Sequence, residues 1–208
     1  MTDAARLMQE HEAHYGARPD PNWPNPRAVI APDLKDNDLA YSIAGAWHAA
    51  AIIRGLDLRP SDLAKLTLMD VGCGTGKLTR ILHMFVQRAD GYDPVPQCVD
   101  AAREETARCT IRADRWPPRF YYAPPNRTYD ILVCADVLPG LGLARTRELC
   151  DTFARLSVPG TMLAANVLAF RQPTISKILA RRAFDFTRCL TAPANLAALG
   201  LYLWERHA

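Results

Sequence analysis

From residue 66 onward the chain alternates between two hydrophobic patterns. Short continuous apolar runs recur: "LTLMDV", "ADGYD", "CTIRAD", "YDILVCAD" and "GTMLAANVLAF". Such runs suit parallel strands buried on both faces. Between them, "KLTRILHMFVQR", "PVPQCVDAAREETAR" and "ARTRELCDTFARL" place apolar residues at helical period. Proline near the start of the second agrees with a helix, whose first N–H needs no partner inside it. Strands are therefore predicted near 66–71, 89–93, 109–113, 129–135 and 160–168. The alternation predicts an α/β fold, a mostly parallel sheet with right-handed crossovers and helices on both faces. The tail offers "TISKILARRAF", then "APANLAALG", then "LYLWERH" as a last strand.

The first 60 residues follow another pattern. Residues 2–15 read as a short amphipathic helix. Residues 17–33 carry five prolines, which exclude helix and central strand. "NDLAYSIAGAWHAAAIIRG" then sets Leu39, Ile43, Ala46, Trp47, Ala50 and Ile53 at helical spacing, with Gly55 as a C-cap. Residues 1–60 are expected to form an N-terminal helical cap or lid on a core spanning 61–208, the whole being a single domain.

Composition narrows the class. About half of the 208 residues are apolar and the net charge is +3, which fits a globular chain rather than a disordered one. That charge is too mild to imply nucleic acid or a membrane surface. No apolar run approaches the ~18 residues of a membrane span. The N-terminus, polar and helical in pattern, does not read as a signal peptide. Six cysteines are scattered with no CxxC pair, so reduced structural thiols and a cytoplasmic location are expected, with Cys109 and Cys134 in core strands.

The candidate chemistry centres on "DVGCGTGK", residues 70–77. A triphosphate loop would need glycine at 71 and a hydroxyl at 78, where Val71 and Leu78 stand. A dinucleotide fingerprint would need a third glycine at 77, where Lys77 stands. What remains is Asp70, Gly72, Gly74 and Gly76 in the pattern D-x-G-x-G-x-G. The glycines let backbone approach a ligand without a Cβ in the way. The acidic residue can fix the loop or accept from an ammonium group. Asp93 ends the second predicted strand, where a carboxylate can take both ribose hydroxyls. Asp114 ends the third, where a carboxylate can accept from an adenine amine. All lie at the carboxyl ends of strands, where open α/β sheets bind ligands.

"LMDVGCGTGKLTRIL", "GYDPVPQCVDAA", "IRADRWPP", "YDILVCADVL" and "LSVPGTMLAANV" resemble the ordered motifs of class I S-adenosylmethionine-dependent methyltransferases. The resemblance covers about residues 66–168. It implies a Rossmann-like sheet, S-adenosylmethionine as cofactor and S-adenosylhomocysteine as product. It further implies that Gly72 and Gly74 face the methionine part and that Asp93 binds the ribose. Pro94 would pack near the adenine, Asp114 and Arg115 would edge it, and Cys134–Ala135 would pass the cofactor's amino end. Two departures stand out. Many small-molecule members carry Glu-His after the fourth strand, where this chain has Pro139 and Gly140. The family's sheet usually closes with an antiparallel hairpin of sixth and seventh strands. Here the seventh is missing, displaced or supplied by a partner copy, as in a homodimer.

Methyl transfer from a sulfonium needs no metal, and most of its rate can come from holding the nucleophile in line. A base matters only when the nucleophile must lose a proton. Asp136, past the fourth strand, is a candidate base, substrate anchor or N-cap. His48, on the cap helix, is a candidate substrate contact. His11, His14 and Tyr15 would belong to a lid. His83 reads as structural, Asn166 as a satisfied core amide, and Trp116 as a group stacking near adenine or plugging the sheet edge. Arg171, Lys177, Arg181, Arg182 and Arg188 read as a solvated face. The expected activity is O- or N-methylation of a small molecule such as a sugar or specialised metabolite. The alternatives are a nucleic-acid (RNA) methyltransferase and a non-methylating protein that binds the same cofactor. Against nucleic acid, "ADVLP" lacks the Asn/Asp-Pro-Pro-aromatic signature, and Val133, not proline, precedes Cys134.

Overall fold

A computed structural model describes residues 38–109, 116–191 and 199–208. The expected helix at 2–15, the proline-rich link, and Asp114 and Arg115 lie outside the described residues.

Strands β1 (Thr67–Val71), β2 (Arg88–Tyr92), β3 (Phe120–Tyr121), β4 (Tyr129–Cys134), β5 (Ser157–Leu168), β6 (Phe184–Thr191) and β7 (Leu199–Arg206) form one sheet in the order β3-β2-β1-β4-β5-β7-β6. The first five are parallel, and β7 runs antiparallel to both β5 and β6. Strand order reverses at β1, between β2 and β4. The register there aligns Asp70 with Gly91 on one side and Val133 on the other, so the carboxyl ends of three strands finish level.

The helices are α1 (Asp38–Leu56), α2 (Pro60–Leu63), α3 (Lys77–His83), α4 (Pro96–Ala107), α5 (Leu143–Arg155) and α6 (Gln172–Ala180). They cover both faces of the sheet. On one face Ala49, Ile52 and Leu56 of α1 and Leu78 and Leu82 of α3 pack against Leu68, Ile131, Val133, Ala164, Leu201 and Leu203. On the other, Cys150 and Phe153 of α5 and Ile175, Ile178 and Leu179 of α6 pack against Met69, Leu132, Leu163 and Trp204. Apolar side chains on both faces of β1, β4 and β5 explain why these strands read as unbroken apolar runs.

Several expectations are corrected. The described strand beside β2 is Phe120–Tyr121, while the strand expected near 109–113 falls almost wholly outside the described residues. Cys109 lies past α4 and is exposed, while Cys134 is buried as expected. The sheet does close with an antiparallel hairpin, because β6 precedes β7. "FDFT" at the start of β6 alternates apolar and polar residues, the period of a strand, and the register shifts after Phe186. Gly55 lies inside α1 rather than capping it. The left-handed residue past the helix is Asp57, at φ 56°. The buried stripe of α1 is Ala49, Ile52 and Leu56, so Trp47 and Ala50 face outward. A helix this rich in alanine is apolar almost all round, and its period leaves the core face ambiguous. Arg171 is not on a solvated face. It is fully buried, donating to the Leu138 carbonyl at 2.9 Å and to Thr146 Oγ1 at 3.1 Å. Lys177, Arg181 and Arg188 are exposed, and Arg182 is tied to Asp151 at 2.6 Å.

Candidate active site

The glycine loop leaves β1 at the switch point. Gly72, Gly74 and Gly76 take φ of 80°, 53° and 73°, the left-handed region where side chains are strained. A Cβ on Gly72 would come within 2.2 Å of Val137 Cγ2, so the loop after β1 rests directly on the loop after β4. Lys77 does not reach toward a phosphate site. A Cβ on Gly45 would meet its Cγ and Cδ at 3.5 Å, so its stem lies beside α1.

Two carboxylates fix this loop. Thr79 Oγ1 of α3 donates to Asp70 Oδ2 at 2.7 Å. Asp70 is buried, and burial pushes its carboxyl up to about 7, opposed by the Thr79 hydrogen bond and reinforced by the nearby charge of Asp93. Asp70 thus ties the loop to α3. Asp93, straight after β2, accepts from the Gly74 N–H at 3.0 Å and the Val95 N–H at 2.9 Å. Burial raises its carboxyl, against the pull of those two N–H groups. Each oxygen keeps a lone pair for a further donor. Pro94 is exposed at the same strand end. The Cys134 side chain points into the core and burial raises its thiol far above the usual range, so only its backbone and that of Ala135 are offered to a ligand.

Asp136, two residues past β4, is one of three non-glycine residues at positive φ among the described residues, at 59°. Its N–H donates to Asn166 Oδ1 of β5 at 2.6 Å, and Asn166 Nδ2 donates back to Asp136 Oδ1. His48 of α1 completes the group, its Nδ1 lying 3.6 Å from Asp136 Oδ2. The imidazole side chain is 12% exposed and the carboxylate 42%, so the pair opens to solvent on the acid's side. Trp47 packs edge-on against His48, ring centroids 5.2 Å apart. Both candidate catalytic residues, predicted separately from sequence, are therefore in one place. Asn166 is satisfied, as expected, but by Asp136. What sequence reading missed is this bridge and the buried Arg171 behind the loop. An asparagine in an otherwise apolar strand was the available signal for the first. His83 is buried, while Trp116 is exposed, away from any plug role.

Among the described residues no cluster of His, Cys, Asp or Glu could hold a metal ion, and no helix is long and apolar enough to cross a membrane.

Residues 69–163 match the family model described as a methyltransferase domain. The ribosomal protein L11 methyltransferase of Pseudomonas aeruginosa is 31% identical over 156 residues, covering 73% of this chain and 50% of that protein. The same enzyme of Aeromonas hydrophila is 31% identical over 166 residues, covering 76% and 53%. The chain belongs to the class I S-adenosylmethionine-dependent methyltransferases. It spans about half the length of these curated relatives. Solved structures share the fold. Magnesium protoporphyrin IX methyltransferase from Synechocystis with bound S-adenosylmethionine superposes with a TM-score of 0.64 at 17% identity, covering 99% of this chain and 98% of that one. The N-methyltransferase NodS from Bradyrhizobium japonicum, bound to S-adenosylhomocysteine, gives 0.61 at 15%, covering 99% of each.

The cradle fits this family's cofactor. Left-handed glycines expose backbone at a strand tip, and beside them the Asp93 carboxylate keeps lone pairs for a donor such as a ribose hydroxyl.

Proposed function

We propose that this methyltransferase acts on a small molecule, as an O- or N-methyltransferase, with the Gly72–Gly76 loop and Asp93 holding the donor and His48 with Asp136 facing the acceptor. The His48–Asp136–Asn166 chain at the carboxyl edge of the sheet carries the reading. When bound, S-adenosylmethionine supplies a methyl group already activated by a sulfonium. Asp93 accepts the ribose hydroxyls on the lone pairs its backbone donors leave free. Asp70 keeps the glycine loop in place.

On the acceptor side, Asn166 fixes Asp136 in its left-handed conformation. Asp136 orients His48, with Nδ1–H toward Oδ2, which leaves Nε2 as the base. A hydroxyl acceptor gives its proton to Nε2 as the carbon–oxygen bond forms. An amine acceptor needs only to be held neutral and in line. The histidine absent from the loop after β4, where Pro139 and Gly140 stand, is thus supplied from α1. Incubation with S-adenosylmethionine and a panel of hydroxylated and amino metabolites, followed by mass detection of methylated product, tests the reading.

A protein acceptor is the second reading, favoured by the identity to enzymes named for ribosomal protein L11. Including that protein in the panel separates the two.

A further inference from the structure

An open cleft lies along the outward face of α1, with Trp47, the neighbour of His48, in its wall. The outward face of α1 presents Trp47, Ala50, Ala51 and Arg54 at spacings of three and four, one continuous stripe. This stripe and the end of β6 enclose an open cleft of about 560 Å³. Trp47 is 53% exposed there, an unusual position for so large an apolar side chain. Its other ring contact is His48. One wall of the cleft therefore continues into the residue that faces Asp136.

The far end of the cleft is cationic. Arg188 of β6 donates to the Gly55 carbonyl at 2.5 Å and lies 3.8 Å from Asp57 Oδ2, so its guanidinium is held at the rim. Arg54 is exposed and makes no hydrogen bond or ion pair among the described residues. Two guanidinium groups against one carboxylate leave a net positive charge. An arginine with no partner among the described residues, two turns along α1 from an exposed aromatic ring, is suited to a carboxylate or other flat oxyanion.

We infer that this cleft seats the methyl acceptor, and that the acceptor joins a flat, largely apolar skeleton lying on Trp47 to an anionic group held by Arg54 and Arg188. The inference rests on the proposed small-molecule activity and adds the chemical class of substrate. The acceptor's reactive hydroxyl or amine points along α1 toward His48, and its anion points away, toward β6. The anion also keeps the acceptor's charge from the sulfonium side, where Asp70, Asp93 and Asp136 favour cations.

Calorimetry on the protein loaded with S-adenosylhomocysteine tests this. The probes are 4-hydroxybenzoate and 4-hydroxycinnamate, each paired with its neutral amide. Carboxylates are expected to bind at least tenfold more tightly than their amides. Arg54→Gln, which removes no contact among the described residues, is expected to abolish that preference and leave S-adenosylhomocysteine affinity unchanged. Equal binding of acid and amide, no carboxylate binding at millimolar concentration, or an unaltered preference in Arg54→Gln would overturn the inference. Failure of S-adenosylhomocysteine itself to bind would instead overturn the methyltransferase reading beneath it.

Discussion

Asn166 grips Asp136 from two sides, accepting its backbone N–H at 2.6 Å and donating to its carboxylate. The pairing holds a non-glycine residue at φ 59°, a conformation that costs on the order of 1–3 kcal/mol and persists only where surroundings enforce it. It aims the second carboxylate oxygen at His48. Asn166→Leu keeps the branched outline of the side chain but can neither accept nor donate. It is expected to lower kcat at least tenfold with little change in cofactor affinity. Unchanged kcat in a folded variant would show that Asp136 needs no such support.

Gly72 and Val137 give a second prediction. Gly72→Ala places a Cβ 2.2 Å from Val137 Cγ2 at φ 80°. The left-handed backbone costs about 1–2 kcal/mol, and the overlap about 1–3 kcal/mol more. Val137→Ala in the same chain should relieve only the second cost. Urea unfolding of the four proteins in the cycle measures the coupling. Strict additivity would mean that the two loops do not touch.

The Asp93 carboxylate should matter most to the donor. Asp93→Ala removes the expected ribose acceptor and also frees the Gly74 and Val95 N–H groups. S-adenosylhomocysteine affinity is expected to fall by about 1.5–3 kcal/mol, as for a charge-assisted set. Calorimetry showing wild-type affinity would remove Asp93 from the cofactor site.

Stability should vary with pH through Asp70. Its carboxyl is raised by burial from 3.8 to about 7, so the folded state binds this proton more tightly than the unfolded state does. The resulting stability is full below about pH 4 and is lost as pH rises through about 7. Asp70→Asn cannot titrate. In the free protein, its melting temperature should therefore fall less than that of the wild type between pH 5 and pH 7.5. Parallel curves for the two proteins would place the raised carboxyl elsewhere.

Much of this architecture was legible because burial on both faces of a parallel sheet writes continuous apolar runs at β1, β4 and β5. The cofactor loop was legible because only glycine tolerates three left-handed positions in five residues. β6 was missed because the alternation in "FDFTRCLT" breaks at Thr187–Arg188, so no strand period runs its whole length. Phe120–Tyr121 was missed because a two-residue strand carries no period that a sequence pattern can show. Arg171 was misread because a charge carries no sequence mark of burial, and its acceptors, Leu138 and Thr146, are distant in the chain. His48 and Asp136 were each visible, but their meeting depends on how α1 crosses the sheet, which no local pattern encodes.

The most direct test of the account is turnover in Asp136→Asn and His48→Gln, using the acceptor found in the metabolite panel, with S-adenosylhomocysteine affinity measured on the same samples. Both variants are expected to bind the cofactor product as the wild type does. For a hydroxyl acceptor, each is expected to lose roughly 10²–10⁴-fold in kcat, the usual worth of a positioned base. Wild-type turnover in both variants would contradict the assignment of the acceptor site to the His48–Asp136 edge.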